Sequence, residues 1–346
     1  SSLVASIIKF FIFYLFFLSA YGESKDKKYD HNEQGTLSLM YHRFNENKYP
    51  STNIQMNAFK SQINIIINNN FKFYNPDKFQ LEFNKPKNEK KILLTIDDAF
   101  LSFYENAWPY LKENKIPFIL FVSTEAIGKF GYMNWNQIKE IENEKFAFIG
   151  NHSHSHEYLI NYNFENFKND IDKSIKIFKN KIGYNPIFFS YPFGEYSLKQ
   201  KNYISKNFKF AFGQHSGVID LNKNKYELPR FPINEKYGDL SRFERLVNFL
   251  PLQYNKIIPK DRYIDSSNNP PKMYIEFFND QKNLNLISCY SNEGNGWNKT
   301  NIKLENNKLN IFFADKFKER RGRINCSMKD VEGWRWLGTQ FSVKLN

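Results

Sequence analysis

The spacing of apolar residues changes period repeatedly along the first 250 or so positions. Ile92–Ile96 is an unbroken apolar run, rich in β-branched residues and too short for a helix, which predicts a buried strand. Thr36–Met40, Phe118–Val122, Ala147–Gly150, Ile187–Ser190 and Lys209–Phe212 predict further short strands. Between them the spacing becomes helical. Phe59, Ile63 and Ile67 form a stripe in Asn57–Ile67, and Phe167, Ile171, Ile175 and Phe178 form another in Phe164–Phe178. Helices are also predicted at Ser102–Asn114, Asn136–Glu144, Ser197–Asn207 and Ser241–Leu250. Strands alternating with helices place the chain in the α/β class, with a parallel sheet that is open or closed into a barrel.

The alternation stops near Pro251. Asp265–Lys272 has the Pro, Asn and Ser content of a linker. Beyond it, Met273–Asn279, Leu284–Tyr290, Lys308–Phe313, Arg323–Ser327 and Gln340–Val343 predict a small all-β sandwich over residues 273–346. At the other end, Leu3–Ala20 is almost wholly apolar, small residues follow, and Glu23–Asn32 is abruptly charged. That pattern predicts a secretory signal peptide over residues 1–22, cleaved near Ala20-Tyr21-Gly22, and a polar linker over 23–35. The expected location is secreted or periplasmic; an uncleaved membrane anchor is the alternative. The α/β unit then spans residues 36–264.

The chain has 346 residues, 41% of them hydrophobic, enough for a sizeable core. A net charge of +13 invites a nucleic-acid reading. The lysines are scattered among Asn and Ile, however, with no zinc finger, basic helix or RNP-like run, so no nucleic-acid partner is expected. The basicity favours anionic surroundings such as envelope polymers or a membrane surface, with peripheral or anchored association. The two cysteines, Cys289 and Cys326, point to one disulfide in an oxidising compartment; two buried thiols are the other reading.

Two features carry chemistry. The central apolar run ends in adjacent carboxylates, Asp97 and Asp98, beyond the carboxyl end of a strand where ligands gather in parallel sheets. One Asp can cap the next helix, but the pair repel unless a cation or proton separates them. A metal ligand beside a general base accounts for both. The second feature is Gly150-Asn151-His152-Ser153-His154-Ser155-His156, also after a strand. Imidazole is the commonest zinc ligand from proteins. A helix would place His152 and His156 on one face, and an extended run would align all three histidines. An Asp with two His leaves positions open for water and substrate, as a hydrolytic metal centre requires.

With these residues set out, the stretch TIDDAF, the run GNHSHSH and the turn SYPFGEYS resemble successive motifs of the polysaccharide deacetylase family, the NodB-homology domain of carbohydrate esterase family four. The MYHRF and YPST segments are similar to its envelope-glycan branch. The resemblance covers about Thr36 to Leu250. It implies a distorted (β/α) barrel of seven or eight strands and a hydrolase acting on carbon–nitrogen non-peptide bonds. Its substrate would be an acetylated polysaccharide or cell-envelope glycan, and its cofactor a divalent metal ion, zinc foremost. By the same resemblance Asp98, His152 and His156 are the metal ligands and Asp97 the catalytic base. His154 falls at a variable position between the ligands.

The chain departs from the family where Arg-x-Pro-Tyr-Gly is common. Ser190 stands in the Arg position and Phe193 in that of Tyr. Arg43 and Arg230 are candidates for the missing Arg. The later Asp-x-x-Asp-Trp and Leu-x-x-His motifs are not recognisable. Two histidines are candidates for the general acid: His42, which resembles the relocated His of the envelope-glycan branch and is favoured, and His215. Met133, Trp135, Tyr191, Phe193 and Gly194 are expected to line the sugar site. Trp297, Trp334 and Trp336 raise glycan binding for the C-terminal sandwich. An O-acetyl esterase, or a glycan-binding protein that lost turnover, are the alternative functions.

Overall fold

The computed structural model describes residues 29–85, 88–220 and 223–344. The expected signal peptide lies outside them. Among the described residues no helix is long and apolar enough to cross a membrane.

Eight parallel strands form the first sheet: β1 (Thr36–Tyr41), β2 (Lys72–Phe73), β3 (Lys91–Asp97), β4 (Phe118–Val122), β5 (Ala147–Asn151), β6 (Phe188–Ser190), β7 (Phe210–Phe212) and β8 (Phe231–Pro232). Their order is β8-β1-β3-β4-β5-β6-β7, with β2 paired to the start of β3. The predicted central run is thus a central strand. Along β3 the pleat sorts side chains by parity. Ile92, Leu94 and Ile96 join one buried cluster with Phe59, Ile63 and Trp108, whereas Leu93 joins Phe121, Phe188 and Phe212 in another. Asp97 shares the parity of Leu93 and Thr95, which directs it toward the aromatic cluster.

The helices that cover the sheet start and stop where local chemistry dictates. Asn134 with Gln137, and Ser197 with Gln200, form capping boxes at Trp135–Glu142 and Leu198–Asn207. Asn163 caps Phe164–Ile182, and Gly183, at φ +88°, ends it. The helix predicted from Ser102 begins as a π turn, Phe103–Ala107, before Trp108–Asn114.

The barrel is incomplete. Past β7, among the described residues, a single isolated bridge, Phe212 with Leu228, reaches toward β8. The C-terminal strands seal this gap. These are β9 (Leu250–Pro251), β10 (Lys256–Ile258), β11 (Tyr263–Ile264), β12 (Met273–Glu276), β13 (Ser288–Asn292), β14 (Trp297–Lys299), β15 (Asn301–Glu305), β16 (Lys308–Phe312), β17 (Arg321–Asp330) and β18 (Gly333–Val343). One sheet runs β9-β18-β17-β13-β14 with β11 on β18, and the other β10-β12-β16-β15. Ile275, Leu309 and Ile311 of the second face Ile324, Met328 and Phe341 of the first in a shared core. Cys289 and Cys326 are directly opposed on β13 and β17 and joined as a disulfide within it. The C-terminal sheet that contains β18 meets the barrel at its opening: Gly338 N–H donates to Ser216 O (2.8 Å), and Trp336 stacks on Phe249 with centroids 5.0 Å apart.

Three boundaries differ from expectation. Strands β9, β10 and β11, at residues 250–264, already belong to the C-terminal sheets. The segment 265–272 is a turn within them rather than a linker, because the Asn269 amide exchanges hydrogen bonds with the Phe317 backbone (2.9 and 3.0 Å). Residues 29–35 of the expected N-terminal linker are packed: Tyr29 and Glu33 are buried, and Asp30 bonds Gln253 through its N–H (3.1 Å) and carbonyl (2.6 Å).

Candidate active site and metal centre

The site is assembled at the carboxyl ends of β1, β3, β5 and β6. Asp98 follows β3 with φ +80°, and Ala99 continues in the left-handed region at φ +54°. This immediate reversal brings two adjacent carboxylates into one pocket, where a continuing strand would have sent them to opposite sides. Asp98 N–H is anchored to Phe121 O (3.0 Å).

After β5 the chain turns again at Ser153 (φ +72°) and His156 (φ +54°). Side chains outside the site hold this loop: Asn151 Oδ1 accepts from Ser153 N–H (2.9 Å), Ser153 Oγ from His156 N–H (3.0 Å), and Asp170 from His154 N–H (3.0 Å). Positive φ at non-glycine residues costs energy and persists where the surroundings enforce it, commonly at functional sites.

The result is a convergent donor set. Asp98 Oδ1 lies 3.4 Å from His152 Nε2 and 3.3 Å from His156 Nε2. Ligand atoms from the three residues lie within 4.8 Å of one another. His152 Nδ1 bonds Ser190 O at 2.6 Å, which puts the proton on Nδ1 and leaves the Nε2 lone pair facing Asp98. Both Asp98 Oδ1 and His152 Nε2 are buried without a hydrogen-bond partner. Such orphaned atoms are costly unless something else satisfies them, and a cation bound by N and O donors fits them. His154 turns away, with Nδ1 2.8 Å from Thr124 Oγ1.

Asp97 is fully buried and engaged differently. Arg230 Nη1 and Nη2 donate to its two oxygens at 2.7 and 3.0 Å. The same guanidinium reaches Thr95 Oγ1 (3.1 Å), Ser190 Oγ (2.8 Å) and Gly213 O (2.9 Å). Burial raises the Asp97 carboxyl pKa, but Arg230 and the nearby histidines more than offset it and hold it below the ordinary carboxylate range. Ser190 is therefore small for a reason the motif did not show: the Arg arrives from the segment before β8 and takes the space. Arg43 instead lies over the rings of Tyr49 and Phe100.

Of the two candidate acids, His42 is at the site, its Nε2 3.9 Å from Asp97 Oδ2. His215 is not. It lines a separate cavity of about 50 Å³ between barrel and C-terminal sheet, with Tyr196, Glu227 and Arg262. The loop carrying it turns toward that sheet through Ser216 and Gly217.

The expected sugar-stacking residues divide similarly. Tyr191 is buried, packed on Tyr196 at 4.3 Å and donating to Tyr226 O (3.0 Å). Met133 is buried, and Trp135 packs edge-on against Phe178. Gly194 contributes backbone only: at φ +69°, a Cβ there would lie 2.7 Å from Gln214 N. Phe193 does reach the rim, edge-on to His156 at 4.9 Å and stacked on Tyr158 at 4.3 Å. Arg320, from the C-terminal region, covers the Tyr158 ring at 3.8 Å and donates to both Glu195 oxygens (3.0 and 3.1 Å). Asp98 and His156 open onto a cleft of about 320 Å³ that Glu125, Lys129 and Tyr132 also line.

Residues 84–210, which carry Asp97, Asp98 and the histidine loop, match the model of the family described as polysaccharide deacetylase. These residues form a polysaccharide deacetylase domain. The chain is 24% identical to a poly-beta-1,6-N-acetyl-D-glucosamine N-deacetylase of Staphylococcus aureus over 254 residues, 65% of this chain and 86% of that protein. It is 33% identical to a peptidoglycan-N-acetylglucosamine deacetylase of Bacillus cereus over 120 residues, 34% of this chain and 42% of that one. In fold it is similar to IcaB from Ammonifex degensii, with a TM-score of 0.54 and 21% identity over 62% of this chain and 97% of that one. The barrel thus shares its fold with that solved structure.

Proposed function

We propose that the chain is an exported, metal-dependent deacetylase that hydrolyses N-acetyl groups of an N-acetylhexosamine polymer. The observation that carries this reading is the pairing of two unlike carboxylates: Asp98 with His152 and His156 as a donor set, and Asp97 clamped by Arg230 beside it. Zinc suits a donor set of two imidazoles and one carboxylate. A divalent cation bound there supplies Lewis acidity, polarising an acetyl carbonyl and lowering the pKa of a water.

The chain's own groups do the rest. Arg230 keeps Asp97 ionised and fixed, so that its Oδ2 takes the proton of the attacking water. His42, whose Nε2 lies 3.9 Å from that oxygen, delivers a proton to the departing amine nitrogen. Phe193 and Tyr158 form an apolar wall at the rim for a sugar ring. The relatives' names favour a β-1,6-linked N-acetylglucosamine polymer.

Export is supported by the apolar Leu3–Ala20 segment and by the buried disulfide, which suits an oxidising compartment. Sequencing the mature N-terminus checks it: a protein still carrying Phe10–Leu18 is anchored or retained instead. The activity is tested by measuring metal content and acetate release on N-acetylated and O-acetylated glycans side by side. Release from N-acetylglucosamine polymer that tracks metal occupancy is expected. Release from O-acetyl esters alone makes the protein an esterase, and none from any glycan overturns the reading.

A further inference from the structure

The outer face of the C-terminal sheet is continuous with the catalytic rim. On β18, Gln340 Nε2 donates to the carbonyls of Phe193 (3.2 Å) and Gly194 (3.3 Å), and the Phe193 ring touches His156. Gln340 pairs with Arg323 on β17, Arg323 with Asn292 on β13, and Asn292 with Trp297 on β14. Residues opposed across strands present their side chains on one face, so these form a single transverse row. The adjoining row is Gly338, Asn325, Tyr290 and Lys299. With about 4.8 Å between strands, the row places Trp297 roughly 14 Å beyond Gln340.

The barrel covers only the start of these rows. Gln340 is buried and Asn325 accepts from Ser216 Oγ (2.9 Å), whereas Arg323 and Lys299 are exposed. Tyr290 and Trp297 are 46% and 44% exposed. They are diagonal neighbours on adjacent strands and share that face. The opposite face of the same strands supplies Cys289, Ile324 and Cys326 to the sandwich core, so neither ring is needed there. Exposed rings beside amide and guanidinium donors match the two surfaces of a pyranose, an apolar C–H face and a rim of hydroxyl and acetamido groups.

We propose that this face is a distal subsite for the polymer that the Asp97–Asp98 centre deacetylates, a proposal that rests on the deacetylase reading above. Trp297 and Tyr290 stack on sugar rings, Arg323 and Asn292 bond the groups between them, and Gln340 ties the strip to the rim. The C-terminal sheets thereby select long chains over short ones.

The test uses the full metal-loaded chain and β-1,6-linked N-acetylglucosamine dimer and hexamer. Trp297→Ala is expected to raise KM for the hexamer about tenfold, the order of one lost aromatic contact. It should leave kcat and the kinetics on dimer unchanged, and Trp297→Phe should restore most of the loss. An unchanged hexamer KM in Trp297→Ala and in the Tyr290→Ala/Trp297→Ala double variant overturns the proposal. If the wild type releases no acetate from either length, the deacetylase reading fails instead. Hexamer binding, followed by intrinsic fluorescence and calorimetry, then decides the subsite alone: weaker binding by the double variant supports it, and equal or absent binding overturns it.

Discussion

Arg230 grips Asp97 with both terminal nitrogens, at 2.7 and 3.0 Å, and neither side chain is exposed to solvent. A bidentate guanidinium–carboxylate pair fixes direction as well as charge. The pair therefore sets which lone pair of Asp97 faces the metal centre.

Arg230→Ala should destabilise the fold by about 3–5 kcal/mol, since it leaves a buried carboxylate uncompensated. Arg230→Lys is the more informative variant. It keeps the charge but not the fork, so we expect a folded protein with near-normal metal content and a reduced kcat. Denaturant unfolding together with metal analysis separates the two effects, and unchanged kcat in Arg230→Lys would remove Arg230 from the site's machinery.

Asp97→Asn keeps size and polarity but removes basicity. We expect metal content to persist while turnover falls by roughly 10²–10⁴-fold, the usual contribution of a positioned base. His42→Gln should likewise spare the metal and lower kcat. A metal-free Asp97→Asn protein would reverse the roles given to the two carboxylates.

Asp98→Asn and His152→Ala should lose metal, and chelation of the wild type should abolish acetate release until a divalent cation is restored. His154→Ala should retain metal, because His154 faces Thr124 and not the donor set. Elemental analysis after gel filtration distinguishes these outcomes. Equal metal loss in His154→Ala and His156→Ala would show that the loop holds its ligand differently.

His215 gives the fold a pH dependence unrelated to catalysis. Burial pushes its pKa down to about 4, with Glu227 opposing and Arg262 reinforcing the shift. Between about pH 6.5 and 4 the unfolded chain binds a proton there that the folded chain does not. This contribution to stability is complete above that window and is lost as pH falls through it, by up to about 1.4 kcal/mol per pH unit. Unfolding measured across that window should be flatter in His215→Gln than in wild type. Parallel curves would refute the assignment.

The disulfide closes a loop with a sequence separation of 37. Chain-entropy reasoning assigns such a cross-link about 4 kcal/mol. Cys289→Ala/Cys326→Ala should lower the unfolding free energy by roughly 2–5 kcal/mol. A similar drop is expected in wild type under reducing conditions, and no drop in either would mean that the sandwich core alone suffices.

Much of the molecule was legible in the amino-acid order because it depends on neighbours in the chain. Periods of two and of 3.6 residues mark strands and helices, and Asn, Ser and Gly punctuate them. Asp97-Asp98 and His152-x-x-x-His156 stand directly after apolar runs, so the donor set could be read before any packing was known. The eleven residues of β18 were foreseen only over Gln340–Val343, because its outer face is covered by the barrel and its Trp and Gly content hides the alternation. The short, largely exposed β14 and β15 are not marked by the sequence pattern at all.

What only the tertiary structure decided are relations between distant segments. Arg230 lies 133 positions from Asp97, and Arg43, much nearer in sequence, was an equal candidate until β8 was seen beside β1. His42 and His215 both follow strands, but only the first strand's end opens on the carboxylates. Tyr191 and Phe193 occupy one turn, and the positive φ of Phe193 sends its ring to the rim while Tyr191 is buried. The C-terminal sheet seals the barrel gap and carries its outer row from Gln340 to Trp297. No local pattern encodes that arrangement, because strand order and register arise from the packing of whole faces against one another.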